Sequence, residues 1–172
     1  MAKLPDECSN ICVSETAYLS LGSNIGDREG NLREAIRCLS EFGEVRKVSS
    51  FYETEPVEFT EQPWFLNCAV ELKTNQMPRD LLTAVLGIER KMGRERTQPK
   101  GPRIIDIDIL LFGDEVLKIP NLVIPHPAMH ERRFVLEPLA EIAPDVRHPV
   151  KKQSIGSLLL ALPTDGPQAK KI

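Results

Sequence analysis

The chain has 172 residues, of which 41% are hydrophobic and 27% are charged, and its formal net charge is −3. These values are typical of one globular domain and argue against a disordered, fibrous or membrane-spanning chain. The first fifteen residues lack the apolar run of a secretory signal, so we expect a cytoplasmic protein with no membrane partner. Because there is no excess of basic residues, we expect no nucleic-acid partner, and we expect a monomer.

The predicted elements follow the order strand, helix, strand, strand, helix, strand. Runs of apolar, β-branched and aromatic residues predict strands over residues 16–21, 45–52, 65–72 and 104–112. Apolar residues at helical spacing predict a first helix that contains residues 32–42, with Gly43 as a left-handed cap. The second helix starts at Pro78 and continues to Met92, with Gly93 after it.

This order of elements predicts an α+β fold of the ferredoxin-like plan, in which an antiparallel sheet has its helices packed on one face. Residues 134–139 and 155–162 predict helical additions on the C-terminal side. We therefore predict one catalytic domain over residues 16–162, between flexible tails at residues 1–15 and 163–172.

Two aspartates on the last predicted strand carry the strongest chemical signal. Side chains alternate across a strand, which places four apolar residues on one buried face: Ile105, Ile107, Ile109 and Leu111. Asp106 and Asp108 then share the opposite face, roughly 6.5–7 Å apart at their Cα atoms, which suits two bridging cations. Magnesium prefers such oxygen ligands and completes its shell with water and phosphate oxygens. The alternative is a solvated sheet face.

Basic residues lie close to this strand in the sequence: Arg94, Arg96, Lys100, Arg103, Arg132 and Arg133. Carboxylates beside many cations favour a bridging polyanion, and a nucleoside triphosphate with magnesium fits this pattern. Each arginine taken alone could instead be an exposed solubilising charge. The turn at residues 22–26 lacks the Lys and Ser/Thr of a P-loop, so we exclude that class of enzyme.

The strand predicted over residues 65–72 places Phe65 and Asn67 together on the face opposite its core side. An exposed aromatic ring beside an amide suits a flat heterocycle, which can stack on Phe65 while Asn67 offers a donor and an acceptor. The alternative is a packed phenylalanine with a strand-capping asparagine. Trp64 has the core-facing parity.

Several motifs together carry a family resemblance. They are Tyr-Leu-Ser-Leu-Gly-Ser-Asn at 18–24, Ser-Ser-Phe-Tyr-Glu-Thr at 49–54, residues 62–67, Gly-Arg at 93–94, Gly-Pro-Arg-Ile-Ile-Asp-Ile-Asp-Ile-Leu-Leu-Phe at 101–112, Pro-His at 125–126 and Arg-Arg-Phe at 132–134. With these motifs the chain resembles the 6-hydroxymethyl-7,8-dihydropterin pyrophosphokinase family of folate biosynthesis. The block at 101–112 is the most specific of them.

The resemblance implies that a pyrophosphoryl group passes from ATP, the co-substrate, to the pterin hydroxymethyl oxygen, with release of AMP. It also implies roles by position, with Asp106 and Asp108 binding two Mg²⁺ ions and Arg94 and Arg103 supporting the transferred group. The residues implied to contact ATP are Glu89, Arg96, Ile109, His126 and Arg132. Phe65 and Phe134 would sandwich the pterin, and its edge would be read by Asn67 and the backbone near Thr54 and Val57. Asp108 is our candidate for a general base.

Two other functions remain open from the sequence alone. An Asp-x-Asp strand also suits a nucleotidyltransferase or a sugar transferase. A ferredoxin-like sheet with an exposed aromatic residue also suits an RNA-binding module, although the sequence lacks the aromatic motifs of the common RNA-recognition type.

Overall fold

The chain folds around an antiparallel sheet of six strands, in a computed structural model that describes residues 13–57, 59–94 and 99–172. The strands are β1 (Glu15–Ser23), β2 (Glu44–Val48), β3 (Tyr52–Thr54), β4 (Phe65–Thr74), β5 (Asp106–Phe112) and, at the C-terminus, β8 (Ala169–Lys171). Their order is β5-β1-β4-β3-β8, with β2 also paired to β4. A separate hairpin consists of β6 (Leu117–Ile119) and β7 (Leu122–Ile124). The predicted α+β class with an antiparallel sheet is confirmed.

Four α-helices lie in the described part of the chain: α1 (Arg28–Leu39), α2 (Pro78–Lys91), α3 (Arg133–Ile142) and α4 (Ile155–Leu160). α1 begins after Asp27, whose side chain accepts a hydrogen bond from the Gly30 N–H (2.9 Å). α2 has Pro78 in its first turn and Gly93, with φ +88°, just beyond its end, as predicted.

The prediction of a left-handed cap at Gly43 is wrong. α1 ends at Leu39, and its C-cap residue Ser40 has an ordinary right-handed helical conformation with φ −63°. Gly43 serves close packing instead, because a Cβ atom at this position would lie only 2.4 Å from the Lys73 carbonyl oxygen. The chain can therefore pass close to β4 only where a residue has no side chain.

Helices cover both faces of the sheet. α1 and α2 pack on the face that holds the larger core cluster, whose members from the central strands include Leu19, Leu21, Cys68, Val70, Ile107 and Ile109. α3 packs on the opposite face, and α4 packs on α3. The opposite face needs this second layer because it carries Tyr18, Ala69 and Leu110, which would otherwise be exposed to water.

A β-bulge changes the facing of the last two residues of β5, Leu111 and Phe112. The pairing of β1 with β5 shifts register between Tyr18 and Leu19, which face Leu111 and Ile109. Leu110 is the extra residue of the bulge. The side chain of Leu111, which follows it, lies in the core cluster that packs against α3. The predicted face is therefore wrong for Leu111, although it is confirmed for Ile107 and Ile109.

The last ten residues contain a strand that the sequence did not reveal. They were expected to form a flexible tail, but Ala169–Lys171 forms β8 and pairs with β3 along its full length. Three residues are too few to show an alternating pattern, so only the tertiary partner indicates this strand. In the described residues we find no helix long and apolar enough to cross a membrane.

Glu141 on α3 connects this helix to the edge of the sheet. Its carboxylate accepts hydrogen bonds from the Tyr52 hydroxyl and from the backbone N–H and hydroxyl of Ser50, and it lies 3.4 Å from Lys171 Nζ. Burial opposes the ionisation of Glu141, but the hydrogen bonds from Tyr52 and Ser50 outweigh it and lower the pKa of this carboxyl.

We expect Glu141→Gln to reduce the free energy of unfolding at pH 7 by about 1.5 kcal/mol, the low end for a hydrogen bond to a charged group, since Glu141 is partly exposed. Because the folded pKa lies below the ordinary value of 4.5, the charge stabilises the fold fully above that value. This stabilisation is lost as the pH falls through the folded pKa. Urea titrations of both proteins between pH 7 and pH 3 measure the effect. If the difference in the free energy of unfolding between the two proteins did not become smaller as the pH falls, this role of the Glu141 charge would be contradicted.

Candidate active site

Polar residues of three neighbouring strands form one row across the sheet. Asp106 on β5 pairs with Gly22 on β1, and Gly22 pairs with Asn67 on β4. Directly paired residues of antiparallel strands point to the same face, and neighbouring strands lie about 4.8 Å apart, so the Cα atoms of Asp106 and Asn67 are roughly 10 Å apart. The predicted metal pair and the predicted heterocycle site are therefore adjacent parts of one surface.

This surface lies on the α3 side of the sheet, next to the part that α3 covers. Ala69 is the next residue of β4 after Asn67 that points to this face, and it is buried under α3. By contrast, the Asp106 side chain is 26% exposed and Phe65 is half-buried. The site is therefore the part of the face that the second helical layer leaves accessible.

Asp106 is held by two of the predicted arginines. Its Oδ1 accepts a hydrogen bond from Arg94 Nη1 (2.6 Å), and its Oδ2 accepts one from Arg103 Nη1 (2.8 Å). Burial opposes the charge on Arg94, but Asp106 and Glu89 outweigh it and raise the pKa of its guanidinium. Hydrogen bonds thus fix both guanidinium groups at the end of β5 where the aspartate pair begins.

Glu89 on α2 is buried, and its carboxylate contacts the start of β5. Its Oε1 accepts hydrogen bonds from Arg94 Nη1 and from the backbone N–H of Ile107 (2.8 Å). A contact with ATP was expected here from the family resemblance. The described bonds of Glu89 instead fix the backbone between Asp106 and Asp108 and orient Arg94.

Asp108 lies on the same face as Asp106 and is likewise partly buried. Burial is the main cause that raises the pKa of Asp108 well above its ordinary value, the neighbouring carboxylate of Asp106 adds to it, and Arg132 opposes it. Two carboxylates so placed repel each other and would be stabilised by a cation between them. The described residues hold no cluster of three or more His, Cys, Asp or Glu that could bind a metal ion alone. A cation at this pair would need further oxygen ligands, which suits magnesium bound to phosphate.

His126 and Arg132 follow the β6–β7 hairpin and lie beside the aspartates. His126 Nδ1 accepts a hydrogen bond from the Ala128 N–H (3.2 Å), so the neutral ring carries its proton on Nε2. Burial and then Arg132 lower the pKa of His126, which favours this neutral form. His126 can therefore donate one hydrogen bond to an acceptor, while Arg132 supplies a full positive charge.

The heterocycle half of the surface is built around Asn67. Its Nδ2 donates to the Thr54 hydroxyl (2.6 Å) on β3, and its Oδ1 lies over Gly22. Asn67 and Thr54 are buried, whereas the sequence indicated an exposed amide. The strand parity of Phe65 and Asn67 is as predicted, but the parity argument does not extend to Trp64, which precedes β4 and is 46% exposed.

Aromatic rings and arginines meet at two places in the site. The Arg103 guanidinium carbon lies 5.6 Å from the centre of the Phe65 ring, and that of Arg132 lies 5.6 Å from the centre of the Phe134 ring. Each ring that was expected to sandwich the heterocycle therefore lies beside an arginine expected to contact phosphate or nucleotide.

Three predicted residues have no side-chain contact described at this surface, and one of them lies outside the described residues. Ile109 is buried in the main core, so only its backbone could contact a ligand. Val57 lies in the loop before β4, is 49% exposed, and has no described contact with Asn67. Arg96 lies outside the described residues.

Asn24 is a buried residue of the site that the sequence analysis did not single out. Its Nδ2 donates to Gln62 Oε1 and to the Pro63 carbonyl oxygen, both at 3.0 Å, and its Oδ1 accepts from the Arg103 N–H (2.8 Å). Asn24 therefore joins the loop before β4 to the loop before β5. The only sequence signal was its place at the end of the motif at residues 18–24.

Substitution of Gly22 tests whether the row of Asp106, Gly22 and Asn67 forms the binding surface. A Cβ atom here would lie 2.6 Å from Asn67 Oδ1, so Gly22→Ala should force the Asn67 amide away from Thr54. We expect roughly tenfold weaker binding of the heterocyclic substrate, which corresponds to the loss of about one hydrogen bond. Nucleotide binding should stay unchanged in the same calorimetric titrations. Equal affinity of variant and parent for the heterocycle would rule out this position for the site.

Comparison with known proteins finds one family model, described as 7,8-dihydro-6-hydroxymethylpterin-pyrophosphokinase, that matches residues 18–144. A Bacillus subtilis protein named 2-amino-4-hydroxy-6-hydroxymethyldihydropteridine pyrophosphokinase is 50% identical over 136 residues, covering 78% of this chain and 81% of that protein. An Aquifex aeolicus protein of the same name is 43% identical over 140 residues, covering 81% of this chain and 88% of that protein.

Solved structures support the same fold at lower identity. The crystal structure of a Plasmodium falciparum HPPK-DHPS triple mutant matches with a TM-score of 0.71 and 21% identity. The match covers 88% of this chain but only 45% of that longer chain. At this identity the likeness concerns the fold alone.

Proposed function

Because the chain belongs to the 7,8-dihydro-6-hydroxymethylpterin-pyrophosphokinase family, we propose that it transfers a pyrophosphoryl group from ATP to the hydroxymethyl group of 6-hydroxymethyl-7,8-dihydropterin. AMP is the second product, and the pterin diphosphate enters folate biosynthesis. The observation that carries the proposal is the row from Asp106 through Gly22 to Asn67. It joins a carboxylate and arginine cluster suited to phosphate chemistry to a buried amide suited to a heterocycle edge.

The charges of the site support a role for magnesium. Of the predicted site residues that the structure describes, three are arginines, Arg94, Arg103 and Arg132, and three are carboxylates, Glu89, Asp106 and Asp108. With all three carboxylates ionised these charges cancel, so the residues alone would leave the negative charge of a triphosphate uncompensated. We propose that Asp106 and Asp108 hold two Mg²⁺ ions, which when bound neutralise the phosphate oxygens and polarise the transferred group.

The chain's own residues then orient the reaction. The pterin hydroxymethyl oxygen forms a bond to the β-phosphorus of ATP while the bond from that phosphorus to the α–β bridging oxygen breaks, and AMP leaves. Arg94 and Arg103 lie at Asp106, where a polyphosphate would offer them a further anion, and they would stabilise charge on the transferred group. Asp108 is the candidate acceptor for the hydroxyl proton.

The residues of the site divide into proposed ATP contacts and proposed pterin contacts. We propose that the His126 Nε2–H, Arg132 and the backbone at Ile109 contact ATP, with Arg96 as a further contact expected from the family. Phe65 and Phe134 would hold the pterin between their rings. Asn67 and the backbone near Thr54 and Val57 would read the edge of the pterin, so that substrate selection rests on hydrogen bonds.

Incubation with ATP, magnesium and the hydroxymethyl pterin tests the proposal through its products. We expect AMP and a pterin diphosphate. Release of free pyrophosphate would instead indicate nucleotidyl transfer, and ADP would indicate transfer of one phosphoryl group. No product at all would favour a binding module.

The finer architecture is part of the same proposal. The strand order β5-β1-β4-β3, with α1 and α2 on one face, supports a ferredoxin-like core to which α3, α4 and β8 are added. We propose one catalytic domain, predicted over residues 16–162 and extended by β8 to residue 171, which acts as a monomer in the cytoplasm.

A further inference from the structure

The last ten residues form a segment that borders the proposed pterin half of the site. We call residues 163–172 the C-terminal strap. At its start, the Pro163 carbonyl oxygen accepts a hydrogen bond from Arg133 Nη2 (3.0 Å), next to Phe134 on α3. At its end, β8 pairs with β3, and the Ile172 N–H donates to the Phe51 carbonyl oxygen (3.1 Å).

The middle of the strap is also ordered by its own hydrogen bonds. Gln168 Nε2 donates to the carbonyl oxygens of Thr164 (3.2 Å) and Gly166 (2.9 Å), which closes a compact turn before β8. The strap is thus fixed to the first turn of α3 at one end and to the sheet at the other. α3 and β3 carry Phe134 and Thr54, two of the expected pterin contacts.

β3 depends on the strap because it is short. It has three residues and pairs with β4 on one side and with β8 on the other. Without β8 it would be an edge strand held by a single ladder, and such strands open easily. Thr54 is the last residue of β3, and its hydroxyl accepts the hydrogen bond that orients the Asn67 amide.

We infer that the C-terminal strap is a positioning element for the pterin substrate, which fixes β3 and through Thr54 the orientation of Asn67. This inference rests on the proposed function. It goes beyond the family match, which ends at residue 144 and so does not include the strap. In the proposed nucleotide half, β5 stands at the opposite end of the sheet order from β8, so the main effect should be on the pterin.

The pattern of the ladder identifies the residue to change. Phe51 and Ile172 form a hydrogen-bonded pair, and such pairs alternate along an antiparallel ladder. Lys170, opposite Glu53, is therefore the next residue whose N–H points at β3, while the N–H of Ala169 points away from it. Proline at 170 removes a ladder hydrogen bond, and proline at 169 is a matched control.

Steady-state kinetics with both substrates test the inference on Lys170→Pro, Ala169→Pro and the parent chain. We expect Lys170→Pro to raise the KM for the pterin roughly tenfold, equivalent to about 1.4 kcal/mol. Its KM for ATP and its kcat at saturating pterin should stay at the parent values, and Ala169→Pro should resemble the parent. A chain that ends at residue 162 should show the same selective effect and a larger one.

The possible outcomes distinguish failure of the inference about the strap from failure of the proposed function. If the parent chain forms no AMP, the proposed function and the inference both fail. If the parent is active and Lys170→Pro binds pterin as the parent does, the strap alone is overturned. Loss of ATP and pterin binding together in Lys170→Pro would also overturn it, because that result indicates a general structural defect.

Discussion

Asp106→Ala and Asp108→Ala are each expected to reduce turnover by roughly a thousandfold or more, because each removes a proposed ligand of the magnesium ions at the point where charge develops. Both side chains lie on the face of β5 opposite the main core, so the fold should persist in both variants. Product formation measured by AMP release, with circular dichroism on the same samples, checks this result. Retained activity in either variant would contradict the metal assignment.

The two aspartates should differ in their effect on stability, which provides a control. Asp106 is bonded to Arg94 and Arg103, so Asp106→Asn should lower the free energy of unfolding by about 1–3 kcal/mol. Asp108 lies beside a like charge in a partly buried position, so Asp108→Asn should leave the free energy of unfolding unchanged or increase it. If Asp106→Asn and Asp108→Asn lowered the free energy of unfolding equally, the loss of activity would be explained by a damaged fold. Inactive Asp108→Asn with full stability would assign the loss to the site.

Asn67→Ala is expected to weaken pterin binding by roughly a hundredfold while ATP binding is retained. The amide is buried and oriented by Thr54, so its removal leaves the polar edge of the pterin without partners. Phe65→Ala should have a smaller effect, about 1 kcal/mol, the scale of stacking between aromatic rings. Calorimetric titration with each substrate separately measures both effects.

Thr54→Val provides the matched control for this pair. It removes the hydroxyl that accepts from Asn67 and keeps the shape of the side chain, so pterin affinity should fall between that of Asn67→Ala and the parent. ATP affinity should be the same in all four proteins. If Phe65→Ala or Asn67→Ala weakened ATP binding and left pterin binding intact, the division of the site would be wrong.

Strand periodicity was sufficient to predict which side chains share a face on β4 and at the start of β5. The faces of Asp106, Asp108, Phe65 and Asn67 follow from alternation alone, because a strand leaves only two directions for a side chain. The same argument failed at Leu111, where a bulge adds a residue opposite β1, since the position of a bulge depends on the partner strand.

Other features depend on contacts that no local pattern encodes. The burial of Asn67, the polar junction at Asn24 and the pairing of β8 all require partners far away in the sequence. α3 was recognised as a helix, but its place on the second face of the sheet depends on Tyr18 and Ala69, which belong to other elements. Local sequence determines which groups are available, and tertiary pairing determines which of them meet.

The position of β8 also bears on self-association. It is the outermost strand of the sheet order beyond β3, and an outermost strand offers unpaired backbone groups to another chain. Two of its three residues are the exposed lysines Lys170 and Lys171. A second sheet that docked here would bring like charges together and remove them from water. The strand that completes the edge of the sheet therefore also discourages edge-to-edge aggregation.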